Sequence, residues 1–196
     1  MMVRQTTVHS QSNCTNMSYQ SVAVFCGSKD GNNELYVLHA QQLGADLAKA
    51  NIALVYGGGN KGLMGATANA VLAHHGKVIG IIPEVLVAWE HAHNELTELH
   101  VVNDMHSRKK LMYQLSEAII ILPGGNGTMD ELFEVLTWNQ LQIHDKKIIL
   151  LNSAGYYNHL LGHMNHMQLQ GFLYENWRDN MVVCETPQDV IDFLTA

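Results

Sequence analysis

Ala118-Ile119-Ile120-Ile121-Leu122-Pro123-Gly124-Gly125-Asn126-Gly127-Thr128-Met129-Asp130-Glu131 is an unbroken apolar run that breaks into a glycine turn and passes straight into residues of helical spacing. An apolar run without alternation predicts a strand covered on both faces. The same succession recurs along the chain. Apolar runs lie at Val22–Cys26, Ile52–Tyr56, Lys77–Ile82, Leu99–Val102, Ala118–Leu122, Lys147–Leu151 and Met181–Cys184. Between most of them stand helical patterns such as Leu35, Leu38, Leu43 and Leu47. Strands alternating with helices predict a doubly wound parallel sheet in one α/β domain. The last helix is expected to open with Thr186 as N-cap and Pro187 at its first position. Ligands of such sheets bind beyond the carboxyl ends of the strands. The loops after Cys26, Tyr56, Ile82 and Leu122 are therefore where function is expected.

The chain has 196 residues, which suits one domain. A first segment, residues 1–20, is polar and lacks an apolar signal core, and is expected to be a disordered tail; the domain then spans 21–196. With 47% hydrophobic and 15% charged residues, the chain is globular rather than disordered. A net charge of −7 argues against nucleic acid or an anionic membrane as partner. No apolar stretch is long enough to span a bilayer. Cys14, Cys26 and Cys184 are widely spaced and odd in number, so neither a disulfide framework nor a zinc site is expected.

Two loops are rich in glycine, Gly57-Gly58-Gly59-Asn60-Lys61-Gly62 and Pro123-Gly124-Gly125-Asn126-Gly127-Thr128. Each follows a strand and opens a helix, where backbone N–H groups and the positive end of the helix dipole suit a phosphate. The bland alternative is two tight turns without a ligand. Gly57, Gly59 and Gly62 also fit GxGxxG, with Glu84 about twenty residues on, a loose match to a dinucleotide fingerprint. That match keeps an NAD(P)-binding oxidoreductase as a minor alternative. Neither loop is a P-loop.

Asp104 reads as an N-cap, which puts Arg108 and Lys109 near the positive end of the next helix. Cations are locally unfavourable there, and a broken local rule points to function, against the alternative of a solvated charge run. Glu131 has two readings. Thr128 as N-cap with Glu131 at N3 makes a capping box. A carboxylate beside a phosphate loop would instead stabilise an oxocarbenium-like state or orient water. His159, His163 and His166 share a helical face, but no carboxylate partner stands out, so no metal is expected.

Pro123-Gly124-Gly125-Asn126-Gly127-Thr128-Met129-Asp130-Glu131 resembles the PGGxGTxxE signature of the Lonely Guy phosphoribohydrolases. Met105-His106-x-Arg108-Lys109, Gly57-Gly58-Gly59-x-x-Gly62-Leu63-Met64-Gly65, Cys26-Gly27-Ser28, and Thr137-Trp138 through Asn158 are similar too. Asn126 and Met129-Asp130 depart from the usual residues inside the signature, and Val85–Glu98 departs from the usual pattern. The resemblance implies a Rossmann-like fold, a cytoplasmic homodimer and no cofactor. It implies hydrolysis of N6-substituted adenosine 5′-monophosphates (cytokinin nucleotides, AMP among the candidates) to free base and ribose 5-phosphate. It implies Arg108 and Glu131 as catalytic residues. The implied nucleotide site is Glu90, Arg108, Lys109, Gly125, Asn126, Gly127, Thr128, Met129, Asp130, Glu131 and Thr137, with Gly57, Gly58, Gly59 and Gly62 as the second glycine loop. A nucleotide or molybdenum-cofactor carrier without activity is the alternative within the same fold. Many relatives are labelled lysine decarboxylases, yet no lysine here stands out as a Schiff-base residue.

Overall fold

The computed structural model describes residues 19–87 and 93–196. Seven strands form one sheet: β1 (Ser21–Phe25), β2 (Ala53–Tyr56), β3 (Val78–Pro83), β4 (Glu98–Val102), β5 (Ala118–Ile121), β6 (Ile148–Leu151) and β7 (Met181–Cys184). Among the described residues six α-helices accompany them, five between strands and the last after β7: α1 (Glu34–Lys49), α2 (Gly62–Ala73), α3 (Met105–Gln114), α4 (Asn126–Gln140), α5 (Asn158–Leu169) and α6 (Pro187–Thr195). The strand order is β4-β3-β2-β1-β5-β6-β7, and every pairing is parallel. This is the doubly wound α/β sheet expected from the sequence, with each predicted strand within a residue of its place.

The continuous apolar runs follow from burial on both faces. Val22, Val24, Leu54, Ile120 and Ile149 face a core shared with α1, α2 and α6, through Leu43, Leu47, Val71 and Leu194. Their neighbours Ala23, Phe25, Val55, Ile119 and Ile148 face the opposite core, with Met112, Leu132, Tyr157 and Met164. A strand residue on either face thus leaves water, which stabilises the fold by about 25 cal/mol for each Å² of apolar surface removed. Edge strand β4 differs: Glu98 and Val101 are exposed, and Lys77 pairs with Glu98 at 2.8 Å.

Local signals place the helices. Asn33 caps α1 by accepting from Leu35 N at 3.0 Å. Thr186 caps α6 reciprocally with Asp189, with Pro187 at the first position as expected. Asp104 caps α3, accepting from Ser107 N at 2.7 Å.

The expected capping box at α4 does not form. The helix starts at Asn126 with Gly125 as N-cap and no side-chain cap. Thr128 is therefore at the third helical position, and Glu131 lies well inside the helix. The glycine pair lets the chain turn into the helix at once, and the Thr128 side chain, only 3% exposed, fills the space a Cβ on Gly124 would need.

The order in which strands are added reverses between β1 and β5: β1 leads toward β2 on one side and β5 toward β6 on the other. The loops at the carboxyl ends of these two central strands part there and leave a crevice.

Candidate active site

That crevice is a cleft of about 290 Å³. Its walls come from the end of β1 (Phe25 to Ser28), from Gly57 after β2, from Arg108 and Met112 on α3, and from Gly125–Thr128 and Glu131 on α4. Backbone hydrogen bonds hold the loops together. Gly27 N donates to Pro123 O at 3.0 Å, and Leu63 N donates to Gly27 O at 3.0 Å. Tyr157 and Tyr156 donate from their hydroxyls to Leu122 O at 2.6 Å and Gly124 O at 2.5 Å, bracing the second glycine loop from outside.

The two glycine loops turn out to do different things. The first is filled by its own protein. A Cβ on Gly57 would overlap the Arg108 guanidinium, Gly58 (φ +77°) packs on Ile81 and Ile82, and Gly62 (φ +58°) lies against the Ser28–Lys29 backbone. At Gly57, Gly58 and Gly62 the space a side chain would take is thus occupied by the protein itself. Around Gly125 and Gly127, by contrast, the space a Cβ would occupy is open. Gly125–Thr128 is also where α4 begins, so the N–H groups of its first turn have no intrahelical acceptors. A line of backbone donors, the positive end of a helix dipole and empty space coincide there, which suits an anion.

Arg108 is 5% exposed, so the alternative of a solvated charge run fails at this residue. Its Nε donates to Ile81 O at 3.1 Å and its Nη2 to Gly57 O at 2.7 Å. Strand-end carbonyls thus fix the guanidinium at the cleft wall. Glu131 lines the same cleft. Cys26 lines the cleft with both of them. Burial pushes its thiol well up, Glu131 adds to the rise and Arg108 opposes it, so the thiol stays protonated.

Other expected site residues lie elsewhere. Lys109 turns away from the cleft and donates to Asp130 Oδ2 at 2.6 Å and Glu134 Oε1 at 3.3 Å. Burial works to lower its pKa, but the two carboxylates outweigh this and raise it. A lysine held protonated is a poor candidate for Schiff-base chemistry. Met129 packs against the core on the Phe25 side of the sheet, and Asp130 serves Lys109. Thr137 lines a separate groove with Phe133, Leu136 and Met164, its hydroxyl donating to Phe133 O at 2.7 Å. Glu90 lies outside the described residues. His93 is buried and pins the first glycine loop: its backbone N donates to Gly58 O at 3.0 Å, and its ring meets Asn69 Oδ1 at 2.9 Å. His159, His163 and His166 are exposed on α5, and among the described residues no group of metal-ligating side chains converges.

A family model described as "possible lysine decarboxylase" matches residues 64–194. The chain is also 46% identical over 187 residues to the cytokinin riboside 5′-monophosphate phosphoribohydrolase of Rhodococcoides fascians, covering 95% of this chain and 93% of that one. The chain belongs to the Lonely Guy family. An Arabidopsis thaliana protein of the same enzyme name is 44% identical over 173 residues, covering 88% of this chain and 80% of its own length. The Lonely Guy chain shares its fold more widely. The molybdenum cofactor carrier protein of Chlamydomonas reinhardtii superposes with a TM-score of 0.68, over 89% of this chain and 94% of that one. At 18% identity, that likeness speaks to the fold alone.

Tyr113 and Glu134 escaped the sequence reading, and Tyr156 and Tyr157 entered it only within the stretch that carries the resemblance. The only trace the first two leave is spacing: Tyr113 is four residues after Lys109, and Glu134 four after Asp130.

Proposed function

We propose that this chain hydrolyses the N-glycosidic bond of cytokinin riboside 5′-monophosphates, releasing the free base and ribose 5-phosphate. One observation carries the reading. A buried arginine and a carboxylate share one cleft with an open, uncapped helix start, in a chain 46% identical over 95% of its length to an enzyme of that name.

The residues divide the work as follows. The 5′-phosphate sits on the backbone donors of Gly125–Thr128. Arg108, fixed by the Gly57 and Ile81 carbonyls, binds the nucleotide and orients Glu131. As the C1′–N9 bond lengthens, positive charge grows on the ribose ring. The Glu131 carboxylate faces that charge and aligns the attacking water. Water supplies hydroxyl to C1′, and the purine departs with a proton. The burial of Arg108 strengthens these interactions over their value in water.

The experiment is incubation with isopentenyladenosine monophosphate, AMP, the matching riboside and NADH. Free base from the monophosphates is expected. Hydride exchange would support an oxidoreductase, and binding without turnover a carrier.

The proposal extends to a cytoplasmic homodimer. Cys26 and Cys184 are free thiols, and no helix among the described residues is long and apolar enough to cross a membrane. The apolar groove between α4 and α5, lined by Phe133, Leu136, Met164 and Met167, offers a two-fold contact face. On α3, by contrast, Met112 and Tyr113 are buried in the core.

A further inference from the structure

Lys109 and Tyr113 lie four residues apart on α3, and Asp130 and Glu134 four apart on α4, so each pair shares one helix face. The two faces meet. Lys109 Nζ reaches Asp130 and one oxygen of Glu134, while the Tyr113 hydroxyl donates to the other Glu134 oxygen at 2.9 Å. Each Glu134 oxygen thus accepts from a different residue of α3. The Lys109–Glu134 pair is shielded, with the side chains 13% and 23% exposed, while Asp130 stands at the solvent edge of the contact, 66% exposed. The Tyr113 ring is itself held, against Trp138 at 4.9 Å, Phe25 at 5.9 Å and His144 at 6.1 Å between ring centres.

Arg108 immediately precedes Lys109, and Glu131 immediately follows Asp130. The two residues of the proposed chemistry therefore ride on separate helices. Resting on the phosphoribohydrolase reading, we propose that Tyr113 and Glu134 are positioning residues: with Lys109 and Asp130 they clamp α3 to α4 and so fix Arg108 relative to Glu131. Neither Tyr113 nor Glu134 lines the cleft, so neither touches the substrate. Their effect is on geometry, to which a reaction of this kind is steeply sensitive. Lys109 likewise acts through the clamp, rather than as a phosphate ligand.

The test uses Tyr113→Phe, Glu134→Gln and the double variant. Tyr113→Phe removes one oxygen and leaves the ring packing, so it folds. Base release gives kcat and KM; calorimetric titration with ribose 5-phosphate gives Kd and the number of intact sites. Each single variant is expected to lose about tenfold in kcat or more, since small misplacements cost that much. KM and the ribose 5-phosphate Kd should stay within about twofold, with full stoichiometry. The double variant should be no slower than the slower single one, because both act through one contact. Unchanged kcat overturns the proposal. So does a Kd that weakens in step with kcat, which would make these residues ligands, or a stoichiometry that falls in step, which would make them merely structural. Wild-type protein that releases no base from any monophosphate overturns the reaction itself. That result appears before any variant is compared, so the two failures are distinct.

Discussion

Arg108 Nη2 donates to Gly57 O at 2.7 Å, and the same guanidinium occupies the space a Cβ on Gly57 would fill. The first glycine loop thus serves the site at second hand. It is bare of side chain so that an arginine from α3 can lie against the backbone after β2. Gly57→Ala should push Arg108 out of place while leaving the sheet intact. A drop in kcat/KM of about a hundredfold is expected, in line with the cost of misplacing a reacting group by an ångström. Base-release kinetics beside a far-ultraviolet dichroism spectrum will check it; near-wild-type kinetics would separate the loop from the site.

Glu131→Gln distinguishes chemistry from architecture more sharply than the sequence suggested. Glu131 is not part of a capping box, since Gly125 is the N-cap of α4. Gln keeps the shape of the side chain, so the melting temperature should move little. Loss of the negative charge facing the ribose should lower kcat by roughly a hundredfold or more. Ribose 5-phosphate should bind as before, or more tightly, with carboxylate–phosphate repulsion removed. A Gln variant with wild-type turnover would leave the mechanism without its carboxylate.

Gly127 and Gly62 should respond in opposite ways to alanine. Gly127 is in the first turn of α4 with open space at its Cβ, so Gly127→Ala should stabilise the fold by about 0.4–1 kcal/mol through the unfolded chain. The new methyl group would crowd the phosphate site, raising KM for the monophosphate. Gly62 has φ +58° and its Cβ would strike the Ser28–Lys29 backbone, so Gly62→Ala should destabilise by about 1 kcal/mol or more. In the wild-type protein, the riboside should react about a hundredfold more slowly than its monophosphate, having lost the charge-assisted contacts. Thermal melts and paired kinetics read all three.

Acid should weaken the fold at its histidines. Burial lowers the pKa of His39, His93 and His144 below the ordinary 6.5. The unfolded chain then binds more protons than the native one in this range. Their contribution to stability is complete above pH 6.5 or so and is lost as pH falls through the lowered native values. Denaturant midpoints should hold from pH 7.5 to about pH 6.5 and decline from there toward pH 5, and a flat profile below about pH 6.5 would contradict the assignment.

Much of this molecule could be read from its residues in order. The unbroken apolar runs specify strands buried on both faces, and their alternation with helical spacing leaves few topologies besides a doubly wound parallel sheet. Asp104, and Thr186 with Pro187, mark helix starts because a cap is a contact between near neighbours. The second glycine loop and the arginine and glutamate near it were likewise visible as motifs. Tertiary structure alone decided what those motifs do. Thr128 and Glu131 have the spacing of a capping box, yet the glycine turn starts α4 at Asn126 and Thr128 packs onto Gly124. The two glycine loops look alike in sequence; one is filled by Arg108 and a neighbouring loop, while the other opens onto the cleft. The resemblance puts Lys109 in the nucleotide site beside Arg108; successive helical residues point about 100° apart. That angle sends Arg108 to the cleft and Lys109 to Asp130 and Glu134, and only the packing of α3 on α4 fixes which residue goes where.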